Sequence, residues 1–146
     1  MRVTRAVVFL SALSVLGAGG GPDESVGEIK GDWTIIAMKM GNRSAPDDLI
    51  KGLTSNFDGE SYTNKASDKV VEQGTYRVDP SKTPRTIDFA IKVGPDAGKR
   101  QLGVYAVDGE TLTLCVSEAG SDERPASLTP KADSPAMTFV MKRAKR

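Results

Sequence analysis

The chain contains no histidine. It therefore lacks the side chain whose ordinary pKa lies nearest neutrality, and with it the Ser-His-Asp and Cys-His nucleophile systems. It has one cysteine, Cys115, so no disulfide forms within the chain. A zinc site would have to be assembled from that thiol and carboxylates, a poor ligand set. Aromatic residues are scarce, with one Trp, three Tyr and four Phe, too few to line a large pocket with rings. Neither sign of charge dominates: 20 basic against 19 acidic side chains gives no overall field to attract nucleic acid or an anionic membrane. Amphipathic helical periodicity and internal repeats are also missing. The glycine clusters Gly19-Gly20-Gly21 and Gly94-Pro95-Asp96-Ala97-Gly98 lack the following helix of a phosphate loop. Acidic pairs do occur, at Asp47-Asp48, Asp58-Gly59-Glu60 and Asp122-Glu123. They fall in turns, where Asp serves the backbone, and none has the alternating spacing of a calcium loop. The expectation is a protein that is not an enzyme and needs no cofactor or metal.

One long apolar run is present. Ala6 to Leu16, broken only by Ser11 and Ser14, follows Arg2 and Arg5 and precedes Gly17-Ala18-Gly19-Gly20. This layout predicts a secretory signal peptide over residues 1–20, too short to span a bilayer, cleaved after Gly20. An uncleaved membrane anchor is the competing reading. The expected location is periplasmic or extracellular. Without Arg2 and Arg5 the remaining chain has 18 basic and 19 acidic side chains, a net charge of −1. Residues 21–29, rich in Gly, Pro and acid, read as a short flexible leader, 30–143 as one domain and 144–146 as a basic, solvated tail.

The domain is organised around two long strands joined by Pro80-Ser81-Lys82-Thr83. In the second, Ile87, Phe89 and Ile91 alternate with Asp88, Ala90 and Lys92, the period of a strand with one wet face. In the first, Val70 to Asp79, Gly74 sits mid-strand and marks a bulge or sharp bend. Gly31 to Met40 precedes them as a first strand. Leu53–Phe57 and Ser61–Asn64 flank Asp58-Gly59, and Leu102–Val107 and Glu110–Val116 flank Asp108-Gly109, both dipeptides that tight hairpin turns favour. Met137–Lys142 is the last strand. Ser44 as N-cap, Pro46 and Gly52 predict a single helical turn between the first two strands. Eight strands, nearly all hairpin-linked and with little helix, predict an all-β antiparallel up-and-down barrel, since closure removes exposed edges.

The motifs in order resemble an uncharacterised lipocalin-like family of secreted bacterial proteins of planctomycete type. Gly31-x-Trp33 matches the lipocalin start, and Lys142-Arg143 ends the last strand where lipocalins place the arginine that packs across that tryptophan. Between them stand Phe57-x-Gly59-x-x-Tyr62, Gly74-Thr75-Tyr76, Pro84-Arg85-x-Ile87-Asp88, Gly103-Val104-Tyr105, Leu112-x-Leu114-Cys115 and Arg124-Pro125. The resemblance implies a lipocalin-like eight-stranded barrel with Gly31, Trp33, Gly74, Tyr76, Asp88, Tyr105, Cys115 and Arg143 as its structural signature. It implies no activity. The Thr-Asp-Tyr turn, C-terminal helix and disulfide of true lipocalins are missing, so the resemblance carries a fold and not a ligand.

Read as packing, Trp33 closes one barrel end under the aliphatic stem of Arg143, and Cys115 is a buried small apolar residue rather than a reactive thiol. The connection Gly41–Gly52, with Pro46, Leu49 and Ile50, is a candidate lid over the mouth. The leading functional expectation is an exported, monomeric, non-catalytic module that binds a small apolar ligand or a cell-envelope component. The alternative is a protein-interaction module, an inhibitor or scaffold with a filled barrel, and the third is an enzyme using carboxylates. A hollow apolar interior favours the first, a filled interior beside an exposed apolar patch the second, and two carboxylates at the mouth with shifted pKa values the third.

Overall fold

Alternation along each segment produces strands, and the computed structural model, which describes residues 28–144, places them as β1 (Gly31–Met40), β2 (Arg43–Ser44), β3 (Leu53–Phe57), β4 (Ser61–Ala66), β5 (Lys69–Asp79), β6 (Arg85–Val93), β7 (Arg100–Asp108), β8 (Thr111–Val116) and β9 (Met137–Arg143). One helical turn, α1 (Asp47–Ile50), precedes β3. The segment read as a signal peptide, most of the leader and the last two residues of the basic tail lie outside the described residues.

Every neighbouring pair is antiparallel, and sequential strands from β3 to β9 lie side by side. β1 pairs with β3 over Gly31–Thr34 and with β9 from Trp33 to Met40, which closes the sheet. The result is an eight-stranded antiparallel up-and-down barrel. β2 is an extra strand, two residues that pair with Lys39 and Met40. Ser44 therefore lies in β2 and does not cap α1; Pro46 holds that position with no side-chain cap. The expected serine cap yields because its backbone pairs with β1 instead. The predicted bend at Gly74 is present as a register shift against β6 between Gln73 and Gly74.

The two barrel ends differ. One carries the turns after β3, β5 and β7 together with the start of β1 and the end of β9. Residues 28–30 lie across it: Ile29 is fully buried in the core, and Glu28 is ion-paired with Arg85 of β6 at 2.6 Å. For Glu28 and Ile29 the flexible-leader reading is thus corrected; the domain includes them because Ile29 fills core space. Ala144 continues the β9 edge by donating its amide to Asp32 O at 2.8 Å. The other end carries α1, the β4–β5 turn, the β6–β7 loop (94–99) and the long loop 117–136.

Aromatic and aliphatic side chains from all eight barrel strands form one interior core, joined by Ile29 and Ile50. A second, smaller cluster of Val104, Cys115 and Ala136, with Leu128 against it, lies on the outside of the sheet. Loop 117–136 covers the outer face of β7 and β8, which explains why Gly103–Tyr105 and Leu114–Val116 are buried in unbroken runs instead of alternately.

Candidate functional site

Period two decides which side chains enter the barrel, and on four strands the inward row changes character along its length. It passes from Phe57 to Ser55 on β3, Tyr62 to Asn64 on β4, Tyr76 through Gly74 to Glu72 on β5, and Tyr105 through Gly103 to Gln101 on β7. Aromatic rings fill the sealed end, and polar groups follow towards the other. On β1, β8 and β9 the row stays apolar with Ile35, Leu114, Val116, Met137, Phe139 and Met141. Between these walls lies a cavity of about 240 Å³, open at the end that carries α1 and the 94–99 loop. That is room for about eight water-sized groups.

The polar wall is hydrogen-bonded within itself. Tyr62 donates its hydroxyl to Glu72 Oε2 at 2.8 Å, and its ring stands edge-on to Phe89 with centroids 4.9 Å apart. Ser55 donates to Asn64 Oδ1 at 2.8 Å, and Gln101 Nε2 to Ser117 O at 2.9 Å. Asp96, from the 94–99 loop, adds a second carboxylate to the lining and meets Lys99 Nζ at 3.4 Å. Burial pushes the Glu72 carboxyl above its ordinary range; the Tyr62 bond opposes this and the Asp96 charge adds to it. Burial, then Glu72, raises the Tyr62 phenol as well.

A carboxyl whose folded pKa is raised holds its proton more tightly folded than unfolded, so its ionisation opposes folding. That opposition is absent below the ordinary carboxylate range, about pH 4, and complete above the raised value. Glu72→Gln, which keeps an acceptor for Tyr62, is therefore expected to be more stable than the parent near pH 8. The gap should close as the pH falls towards 4, as read from urea midpoints at both ends.

The residues singled out from the sequence occupy other places. At the sealed end Trp33, fully buried, donates Nε1–H to Ile29 O at 2.8 Å, with the Arg143 guanidinium 4.3 Å from the ring centroid. Arg143 also donates to Lys30 O and Glu28 O, each at 2.7 Å, and meets Glu110 at 3.3 Å. A Cβ on Gly31 would stand 3.0 Å from Arg143 Nη1, at a φ of +122° that side chains rarely adopt. Tyr76 accepts the Gly59 amide at 2.8 Å and packs edge-on to Phe57; burial pushes its phenol up to about 12. Tyr105 lies in the same core.

Asp88 and Cys115 belong to the outside of the barrel. Arg124, in the long loop, meets Asp88 Oδ1 at 2.7 Å and donates to Gly103 O at 2.9 Å and Ile87 O at 3.2 Å, which pins the loop over the fully buried Cys115. Burial also raises the thiol's pKa. Native Cys115 should therefore resist Ellman's reagent, and Arg124→Ala is expected to speed its modification about tenfold by loosening the cover. Pro46 and Leu49 are exposed, whereas Ile50 is buried in the core, so α1 is anchored beside the mouth; none of the three is on the cavity lining.

The cavity's own polar residues, Glu72, Asn64, Asp96 and Gln101, were not singled out from the sequence. A signal exists: counting by twos from Tyr62, Tyr76 and Tyr105 puts Asn64, Glu72 and Gln101 on the inward side. Asp96 is on a loop, where no period applies. A scan against protein-family models, a search of curated proteins and a search of solved structures each found no match for this chain.

Proposed function

We propose that this chain is an exported, monomeric, non-catalytic binding module with a lipocalin-like barrel, and that its interior takes up one small, largely apolar molecule. The cavity carries the reading. Its apolar wall offers burial at about 25 cal/mol per Å², and its sealed end prevents passage through the barrel. At about 240 Å³ it is smaller than sites for drug-sized ligands, which start near 300 Å³, so the ligand is a small one. The arginine-flanked apolar run at the start of the sequence supports export.

Glu72 and Asp96 meet in position the condition for carboxylate chemistry. Binding is favoured because both carboxylates are already engaged, Glu72 by the Tyr62 hydroxyl and Asp96 by Lys99. The apolar side chains Met40, Leu49, Val70, Val71 and Val93, all exposed and all on segments at the open end, favour a docked envelope protein as the second reading. Native mass spectrometry of protein taken from its own envelope fraction separates the two. An added small mass that leaves on denaturation supports the carrier, and a retained partner-sized mass supports docking. Bare protein that also fails to respond to small apolar probes would overturn the carrier.

A further inference from the structure

We infer that the cavity selects a short-chain aliphatic amine, with its ammonium group held by the Glu72 carboxylate and its alkyl chain laid on the β1–β8–β9 wall. This rests on the binding reading above and adds to it the chemical class of the ligand.

Charge makes the first argument. The two charged side chains on the lining are Glu72 and Asp96, and no lysine or arginine faces them from the described lining. Lys99 meets Asp96 at 3.4 Å but is itself about half exposed and belongs to the loop, leaving Glu72 without a cationic partner among the described residues. A carboxylate or phosphate ligand would meet like charge there. A neutral ligand would leave a half-buried carboxylate short of counter-charge, the costly state for an ion removed from water.

Geometry makes the second. Tyr62 engages only Oε2 of Glu72, and the ring of Tyr62 is fixed by its edge contact with Phe89, so the carboxylate is oriented before any ligand arrives. An ammonium supplies three donors and needs acceptors alone, which Glu72 offers. Burial pushes the Glu72 carboxyl up, and an ammonium ion beside it would push it back down. Opposite it, Leu114, Met137 and Met141 present an apolar surface with no hydrogen-bonding side-chain group stronger than a thioether. Six methylene-sized groups and a head fit about 240 Å³.

The test compares three ligands of equal length, hexylammonium, hexan-1-ol and hexanoate, by following amide shifts of the labelled protein in NMR titrations. Hexylammonium is expected to move the amides of Glu72, Gln101 and Met137 and to bind about tenfold or more tightly than hexan-1-ol, with hexanoate weakest. In Glu72→Gln the preference for the amine over the alcohol should disappear. On the unaltered protein, the Glu72 side-chain carboxyl ¹³C titration should move to lower pH with hexylammonium and stay put with hexan-1-ol. Alcohol binding as tightly as amine overturns the amine selection and leaves the cavity reading standing. An amine preference that survives Glu72→Gln, or a Glu72 titration unmoved by the amine, overturns the assignment to Glu72. If none of the three moves the cavity amides, the binding reading itself falls, and this inference with it.

Discussion

Trp33→Ala is expected to destabilise the domain by about 3–5 kcal/mol, the range for removing a large ring from a core. The ring is fully buried and carries more than its own area. Its Nε1–H is satisfied by Ile29 O at 2.8 Å, and that bond draws residues 28–30 across the sealed end. The Arg143 guanidinium, 4.3 Å from the centroid, holds the same segment through Lys30 O and Glu28 O. Cation–π attraction of this kind contributes about 1 kcal/mol at partly exposed sites. Deleting the ring therefore empties a core site and leaves Ile29 O, Arg143 and the Glu28–Arg85 pair without the surface they close on. Urea unfolding followed by far-ultraviolet circular dichroism measures the loss, since the variant has no tryptophan to report it. Trp33→Phe separates the two contributions: it keeps most of the apolar fill and loses the indole bond, so a smaller loss of about 1–2 kcal/mol is expected. An alanine variant as stable as the parent would remove Trp33 from the role of keystone at this end.

How much of this was legible in the sequence depends on which force decides each feature. Ile87, Phe89 and Ile91 announce β6 because alternation is local, and the Asp-Gly turns fix their hairpins locally, Asp58 also accepting the Glu60 and Ser61 amides on its own carboxylate. Barrel closure followed from counting strands, since eight hairpin-linked strands have few other ways to lose their edges. β2 is invisible in the sequence because two residues carry no period; its pairing follows the turn at Gly41, where a Cβ would strike Ala132 O. Glu28 and Ile29 read as leader because the surrounding composition is that of a loop, while their order comes from Trp33 close by and from Arg85 and Arg143, both distant in sequence. Cys115 was expected to be buried and is, but against Ala136 and Leu128 on the outer face, because a proline-rich loop lies where alternation alone predicts solvent. The cavity was the least legible part. Signature residues with rings draw attention to the sealed end, whereas the cavity's polar groups are ordinary residues that matter only through the phase they share with those rings.

Gly74→Ala joins the barrel's bend to its cavity and is expected to cost about 3 kcal/mol, at the upper end of what overpacking by one methyl does. The glycine is not there for unusual dihedral angles; it is absent from the positions with positive φ. It is there for space. A Cβ would lie 2.1 Å from Ala90 O and 2.9 Å from Tyr62 Cε1. Neither neighbour gives way easily, because Ala90 is in the β6 ladder and Tyr62 is held by Phe89 and by Glu72 Oε2. Relief requires either flattening the register shift between Gln73 and Gly74, which straightens the strand the barrel curls on, or swinging Tyr62 away from Glu72. Gly109→Ala is the control. Its φ is +62° with nothing within 4 Å of the added Cβ, so it should lose only the backbone penalty of about 1–2 kcal/mol. Chemical denaturation of the two variants separates the mechanisms, and Tyr62 ring resonances in Gly74→Ala tell which relief the protein takes. A shifted Tyr62 with a modest stability loss would mean that the bend outranks the Tyr62–Glu72 bond. An unshifted Tyr62 with the full loss would mean that the polar wall of the cavity is held as firmly as the barrel itself. A Gly74→Ala variant no less stable than Gly109→Ala would show that β5 does not need an empty position to bend.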